Sequence, residues 1–565
     1  MSSITQAVCP AAAPARPPRP SATIVVVRDG ASGIEVLLAR RAERGDYNSG
    51  AWVFPGGLVD ASDTSSSAAC AGLSEADADA ALHLPHDGLA FYLAATRECF
   101  EECGLLFGID AAGEPVSASV AQTLQGWRES IYRGEKSALA FARETGIRFD
   151  VGRLVYLSHW ITPLGRVKRF DTRFFVAEAP VGQVAAHDGT EMTDHRWIRP
   201  SDALVAGDAL KLMGPTRATL MTLQRFESAA SVLDWARSPR DIPLIFPRIA
   251  NGPQGERHVL PEEHSCAEIG RLDPQDLGTA SYDIVPGRPV RLSSRIIRVT
   301  ASNASVMTGP GTNSYLVGGG ARNEWAVIDP GPVDATHVQA IIDAAPGRIT
   351  RIFATHTHSD HSPGAALLKS RTDAITLGRV ADHPDRQDKT FIPDVALAGG
   401  ESIEIDEGVT LRVIHTPGHA SNHLCYLLEE EKTFFTGDHV MQSSTVVINP
   451  PDGDMAAYIA SLRSLAADAD GRIDWLAPGH GFLMEQPERA FEWIVQHRLK
   501  REAKIIDALQ MHGPASADAL IDRVYDDVTA QLHGIAMRSL LAHLYKLRDE
   551  GRAVEVDGTW SLRTT

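Results

Sequence analysis

Apolar positions along this chain follow two rhythms: short runs that stop at a turn, and longer stretches with helical spacing. Thr23 to Arg28 (TIVVVR) and Ile34 to Arg40 (IEVLLAR) are runs of the first kind, and the segment DGASG between them predicts a β-hairpin. ATRECFEECGLLF has the second rhythm, and on a helix Glu98, Glu101 and Glu102 stand at i, i+3 and i+4, on one face. PTRATLMTLQRFESAASVLDWA predicts a further helix, and DIPLIFPRIANGPQGERHVLP a hairpin-like tail. Proline and glycine from Leu272 to Pro289 mark a linker. Beyond it RIIRVTA opens a series of strands: WAVIDPG, ITRIFA, LRVIHTPGH, TFFTGDH and DWLAPGH, each an apolar run followed by a loop. The last stretch changes rhythm again. HRLKREAKIIDAL, SADALIDRVY and GIAMRSLLAHLYKLRDEG are helical, Gly513-Pro514 separates the first two, and RAVEVDGTWSL predicts a hairpin turning at Asp557-Gly558.

With 565 residues the chain holds about three or four domains, and 44% hydrophobic content suffices for several cores. Met1 to Pro20 is Ala- and Pro-rich and reads as a flexible tail without the charged and apolar regions of a secretory signal. No run of apolar residues is long enough to span a membrane. The six cysteines show no CxxC pair or disulfide spacing, so a reduced, cytoplasmic protein is expected. A net charge of −18 disfavours non-specific attraction to nucleic acid or anionic lipid.

Chemistry concentrates where the strands run out. After ITRIFA comes Thr355-His356-Thr357-His358-Ser359-Asp360-His361. Alternate side chains of an extended segment point the same way, so His356 and His358 can grip one metal while the turn aims Asp360 and His361 at another. Imidazole and carboxylate suit zinc, and the same ligands accept iron or manganese. His419, Asp438 and His480 follow, each directly after a glycine (Gly418, Gly437, Gly479) that lets the backbone turn tightly and approach closely. Asp329 ends the WAVID strand. Other histidines nearby (His415, His423, His439) match no motif.

This ordered set resembles the metallo-β-lactamase superfamily. The resemblance implies an αββα sandwich in which His356, His358 and His419 hold one metal, Asp360, His361 and His480 a second, and Asp438 bridges them. Two Zn2+ ions are the implied cofactors, and Asp360 the residue that orients the attacking water.

Arg97-Glu98-Cys99-Phe100-Glu101-Glu102-Cys103-Gly104-Leu105 resembles the second half of the Nudix box, REUxEExGU with U apolar. Asp63 stands where that box has Glu, and 26 extra residues separate the halves. The insertion, roughly Thr64 to Leu89, is expected to fold over the site as a lid. Such an interrupted box, with LLARRAERGDYNSGAWVFPGG before it and HWITPLGRVKRFDTRFFVA after, resembles the peroxisomal-type coenzyme A diphosphatases. That likeness implies an α/β/α sandwich in which Glu98, Glu101 and Glu102 bind Mg2+ or Mn2+ against a diphosphate, with Glu101 or Glu102 as base. Arg97 is expected to pair with an acid of the box.

Three helices and a hairpin at the end resemble a winged helix. Its charge is balanced, ten basic against ten acidic residues from Arg498 onward, which favours a packing or dimerisation module over nucleic-acid contact. With it, the C-terminal half resembles β-lactamase-like protein 2 and its bacterial relatives. The expected organisation is therefore a multidomain α/β and α+β chain: a tail over residues 1–20, a Nudix domain over 21–265, a linker over 266–292, a metallo-β-lactamase domain over 293–494 and a winged helix over 495–565. The expected function is a pair of metal-dependent hydrolases for small molecules carrying a diphosphate or a thioester. Relatives of the second half cleave either RNA or acyl-carrier thioesters, and the coenzyme A-like Nudix half and the acidic charge favour a thioester, acyl-CoA-like substrate, with RNA second. The alternative is a single-strand RNA endonuclease joined to a Nudix domain that binds a nucleotide without cleaving it.

Overall fold

The structure, a computed structural model, describes residues 17–43, 48–442 and 444–563. The expected tail lies outside the described residues as far as residue 16, and Arg19 and Pro20 already belong to the first strand. Two compact units divide the chain: Met1–Ile249 with Gln275–Leu277, and Ala250–Pro274 with Gly278–Thr565.

In the first unit the hairpin forms as the pattern predicts. Arg19–Gly30 pairs antiparallel with Gly33–Arg41, and the Gly30↔Gly33 register leaves a two-residue turn. Phe170–Glu178 lies parallel to the first strand on its other side, Val155–Ile161 beyond it, and Met192–Ile198 closes the opposite edge. Against this sheet packs the helix Gly88–Cys103, with Leu93, Cys99 and Phe100 fully buried. The insertion is built into that core and does not lie over the site as a lid. Cys70–Ala71 pairs with Phe149–Asp150, and Ala69, Ala78, Leu82 and Leu89 join the main apolar cluster. Ser74 caps the helix Glu75–Leu82, which presses so closely on Gly88 that a Cβ there would sit 2.7 Å from Ala78 backbone. Small alanines, which look like loop composition, are what this close helix contact requires. The single helix expected over 215–236 is two, Gly214–Leu223 and Ala229–Arg237, because Ser228 forms a capping box that starts the second.

The second unit is a four-layer sandwich. One sheet runs in the order Val290–Arg291, Ile296–Thr300, Asn313–Gly318, Glu324–Ile328, Arg348–Phe353, Ile375–Gly378, Val395–Ala396. The other runs Ser402–Asp406, Val409–His415, Leu424–Leu428, Thr433–Gly437, Trp475–Pro478. Their facing sides share one core, with Tyr315, Val317 and Phe353 from the first sheet and Leu411, Tyr426 and Phe435 from the second. Helices Ala335–Ala344 and Gly364–Thr372 cover one outer face, Met455–Asp468 and Pro487–His512 the other. The last of these is a single 26-residue helix that runs on as the first helix of the winged-helix module. That module adds Ala517–Val524, His533–Asp549 and the hairpin Ala553–Val556 with Thr559–Leu562. Within 266–292 the helix Cys266–Leu272 is tied into this unit by Glu268, whose carboxylate meets the buried Arg298 guanidinium at 2.6 Å.

Candidate metal centres

Strands Glu324–Ile328 and Arg348–Phe353 end side by side in one sheet, Thr433–Gly437 and Trp475–Pro478 in the other, and the loops after them and after Val409–His415 bring the predicted ligands together. Two groups form: His356, His358, His419 and Asp438, and Asp360, His361 and His480. In the first, His356 Nε2 lies 2.8 Å and His419 Nε2 3.0 Å from His358 Nδ1. In the second, His480 Nε2 and His361 Nε2 each lie 3.5 Å from Asp360 Oδ2. Asp438 faces both, with Oδ1 3.3 Å from His361 Nε2 and from His480 Nε2, and Oδ2 3.7 Å from His419 Nε2.

The rings are oriented from behind. His361 Nδ1 donates to Asp329 Oδ2 at 2.8 Å, His419 Nδ1 to the Val447 carbonyl at 2.8 Å, and His480 Nδ1 to the Gly311 carbonyl at 3.2 Å. A carbonyl only accepts, so Nδ1 carries the proton and Nε2 turns its lone pair into the site. Asp329, at φ +52°, also accepts from the Thr355 amide and hydroxyl, both at 2.7 Å, which pins the start of the histidine loop. The glycines are needed where they stand. A Cβ on Gly479 would lie 2.7 Å from Asp438 Oδ1, and one on Gly418 (φ +142°) 2.3 Å from Tyr458 Cα.

Electrostatics fit a cation here. Burial and the neighbouring imidazoles hold His356 well below the ordinary histidine range and His358 down at about 3, and burial lowers His419 as well, so this trio is neutral. Burial pulls His361 down too, but Asp360, Asp438 and Asp329 outweigh it and raise the ring well above its usual value. Among the described residues His361 Nε2, His480 Nε2 and Asp438 Oδ1 are buried with no hydrogen bond. Buried donor atoms left unbonded and converging in this way suit divalent cations of the kind imidazole and carboxylate bind. His423 and His439 ligate nothing here. His423 is fully buried and stacks on His356, ring centres 5.0 Å apart, with Nδ1 2.9 Å from Thr416 Oγ1.

The first unit gathers its acids differently. Arg97 pairs with Asp63 through two bonds of 2.9 Å, and its Nη1 reaches Glu98 at 3.0 Å and Glu101 at 2.8 Å. Asp63, the residue that departs from the box, is thus the buried anchor for Arg97. Glu102 Oε2 accepts from the Gly56 amide at 2.9 Å, and Gly57 lies so near that a Cβ would sit 2.3 Å from Glu98 Oε1. Burial pushes Glu98 up to about 8, although Arg97 opposes it, and raises Glu101 and Glu102 as well. Buried acids this reluctant to ionise are suited to a cation that would neutralise them. Among the described residues, however, the close-packed metal-capable groups are the two in the second unit, and these three glutamates do not form another.

Comparison with known proteins finds both domains. The chain matches the Metallo-beta-lactamase superfamily over residues 307–480, the NUDT19 Nudix domain over 68–212 and the Beta-lactamase associated winged helix domain over 516–560. It is 34% identical over 224 residues to an atrochrysone carboxyl ACP thioesterase of Aspergillus chevalieri, covering 39% of this chain and 67% of that protein. To a beta-lactamase-like protein 2 homolog of Drosophila melanogaster it is 32% identical, over 46% of this chain and 90% of the relative. A solved NUDIX hydrolase from Alicyclobacillus acidocaldarius is 29% identical, over 39% of this chain and 96% of that one, with a TM-score of 0.32. No helix among the described residues is long and apolar enough to cross a membrane. The chain belongs to the metallo-beta-lactamase superfamily of hydrolases, and carries a NUDT19-type Nudix domain ahead of that domain and a winged helix behind it.

Proposed function

We propose that this chain is a bifunctional metal-dependent hydrolase. Its second unit is a dinuclear zinc thioesterase for an acyl-CoA-like substrate, and its first a Nudix diphosphate hydrolase for a coenzyme A or nucleotide derivative. One observation carries the reading: Asp438 turns one carboxylate oxygen to each of two groups whose side-chain donor atoms converge. His356, His358 and His419 would hold one ion, Asp360, His361 and His480 the other. Ions bound there supply Lewis acidity and bring the pKa of water toward neutrality. The chain's own part is orientation and proton transfer. Asp360 is the more open carboxylate, its side chain 23% exposed against 11% for Asp438, and so the one placed to orient an incoming water and accept its proton. Asp438 keeps the two groups in register. Attack at the acyl carbon breaks the C–S bond, and the sulfur leaves as a thiol after taking a proton.

Two things favour a thioester over RNA. One relative, 34% identical over 224 residues, is named as an ACP thioesterase. Several winged-helix cations are also engaged: Arg501 with Asp527 at 2.7 Å, Lys546 and Arg552 with Glu502 at 2.7 and 2.9 Å, and Lys504 with Asp526. Strand recognition through phosphates needs such charges free.

In the first unit Glu98, Glu101 and Glu102 would bind Mg2+ or Mn2+ against the diphosphate, Glu101 or Glu102 serving as base. A nucleotide-binding site without cleavage is the competing reading, and one observation favours it: Arg97 already satisfies Glu98 and Glu101. A substrate panel on the zinc- and magnesium-loaded chain decides. We expect thiol release from acyl-CoA and diphosphate cleavage of coenzyme A or ADP-ribose. Salt-sensitive cleavage of single-stranded RNA with acyl-CoA left intact overturns the first assignment. Nucleotide binding without turnover overturns the second.

A further inference from the structure

The second unit contains a cavity of about 630 Å³ whose lining includes His480, one of the seven candidate ligands, and Val447, whose carbonyl holds another, His419. Its walls come from distant parts of the chain. Ile284, Met307 and Pro310 form one side, Val446 another, and Leu532 and Ile535 of the winged-helix module a third. The volume is that of a small-molecule site, and the lining is largely apolar, as such sites are. The module expected to serve packing or dimerisation is therefore part of the chamber beside the metal ligands.

On this wall stands a cation that the fold does not neutralise. Arg498 is 3% exposed, lines the cavity, and has no carboxylate within 4.0 Å among the described residues. It donates through Nη2 to the Val446 carbonyl, while its Nε has no hydrogen bond. Tyr525, on the same wall and 6% exposed, also has a hydroxyl without a hydrogen-bond partner. The adjacent Arg501 shows the usual solution, a forked pair with Asp527 at 2.7 and 3.0 Å. Burying a guanidinium without an acid is costly unless something else supplies the negative charge.

We propose that the winged-helix module forms the far wall of the substrate chamber, which binds an apolar acyl thioester bearing an oxyanion, with Arg498 and Tyr525 as the residues that receive the oxyanion. This rests on the thioesterase reading of the site. The oxyanion has two sources of the same chemistry: a carboxylate on the acyl chain, or a phosphate on the pantetheine arm. Both place a charge-bearing oxygen beyond an apolar body while the thioester sits at the metal ligands. The short segment Val446–Val447 connects the two ends, since Val446 accepts from Arg498 and Val447 from the ligand His419.

The test uses the full zinc-loaded chain and four probes: acetyl-pantetheine, octanoyl-pantetheine, octanoyl-4′-phosphopantetheine and suberyl-pantetheine, whose acyl end is a carboxylate. We expect wild type to prefer one charged probe over octanoyl-pantetheine by tenfold or more in kcat/KM, with the difference in KM. Which charged probe is preferred identifies the source. Arg498→Gln should collapse that ratio toward one, and Tyr525→Phe, which deletes only the hydroxyl, should reduce it several-fold. Ala536→Trp, which narrows the wall, should raise the ratio of acetyl- to octanoyl-pantetheine turnover. Thermal unfolding of each variant checks folding, and Tyr525→Phe keeps the test valid should Arg498→Gln fail to fold. Ratios unmoved in folded variants overturn the chamber and leave the thioesterase standing. If no thioester is cleaved, the thioesterase reading fails. The oxyanion site is then read from calorimetric binding of 4′-phosphopantetheine and suberate: binding weakened tenfold in a folded variant supports it, and binding absent or unmoved overturns it.

Discussion

The two halves of this chain solve the problem of buried like charges in opposite ways. In the first unit the acids share one internal cation, Arg97 reaching Asp63, Glu98 and Glu101 through one guanidinium. In the second unit nothing of the kind enters. Histidine nitrogens and Asp438 Oδ1 converge without a hydrogen bond, held by Asp329 and by backbone carbonyls behind them. The second arrangement leaves its donor atoms to a cation from outside the chain. In the first, a cation competes with a proton on Glu98 and with Arg97 for the same oxygens. The contrast predicts a tightly held metal pair in one unit and a weaker, exchangeable ion in the other.

The largest effect should come from Asp360→Ala. Removing the partly open carboxylate should lower thioester hydrolysis by roughly 10²–10⁴-fold, with diphosphate cleavage and thermal stability retained; full thioesterase activity would break the assignment. Glu102→Gln should do the converse, cutting diphosphate cleavage by about 10²-fold while thioester hydrolysis persists. Loss of both activities together would mean the halves are not independent.

What the sequence made legible divides along the same line. The candidate ligands were readable because HxHxDH packs its chemistry into six residues and each later candidate follows a glycine at the end of an apolar run. Their supports were not. Asp329 reaches His361 and Thr355 only because two parallel strands end together, a contact that spacing does not record. Arg97 was expected to meet an acid of the box, and the structure supplies Asp63 across the insertion. That insertion was misjudged because its Ala- and Ser-rich composition conceals a helix packed against Gly88. The winged helix was recognisable from its pattern, but its place beside His480 depends on residues near 446 meeting residues near 535.

Smaller perturbations sharpen the comparison. Asp329→Asn keeps the shape of the support but weakens its hold on the His361 proton, and should lower zinc affinity by about 10–100-fold without unfolding the chain; competition with a chromophoric chelator reads this. The first unit should respond to pH instead. Glu98 without an ion takes a proton at about 8, so Mg2+ or Mn2+ must displace it. Affinity should therefore fall as pH drops below 8, by up to about tenfold per unit, and level off above it. Isothermal titration with Mn2+ across that range tests the sign.

Metal stoichiometry tests the central claim most directly. Mass spectrometry of the native full-length chain, with elemental analysis after exhaustive dialysis against magnesium-free buffer, should give close to two zinc or other transition-metal ions per chain, one for each ligand group. Asp438→Asn should lose ions from both groups at once, while Glu102→Gln should keep the full complement. Fewer than one ion per chain in the wild-type protein, or a stoichiometry unmoved by Asp438→Asn, would contradict the bridged pair.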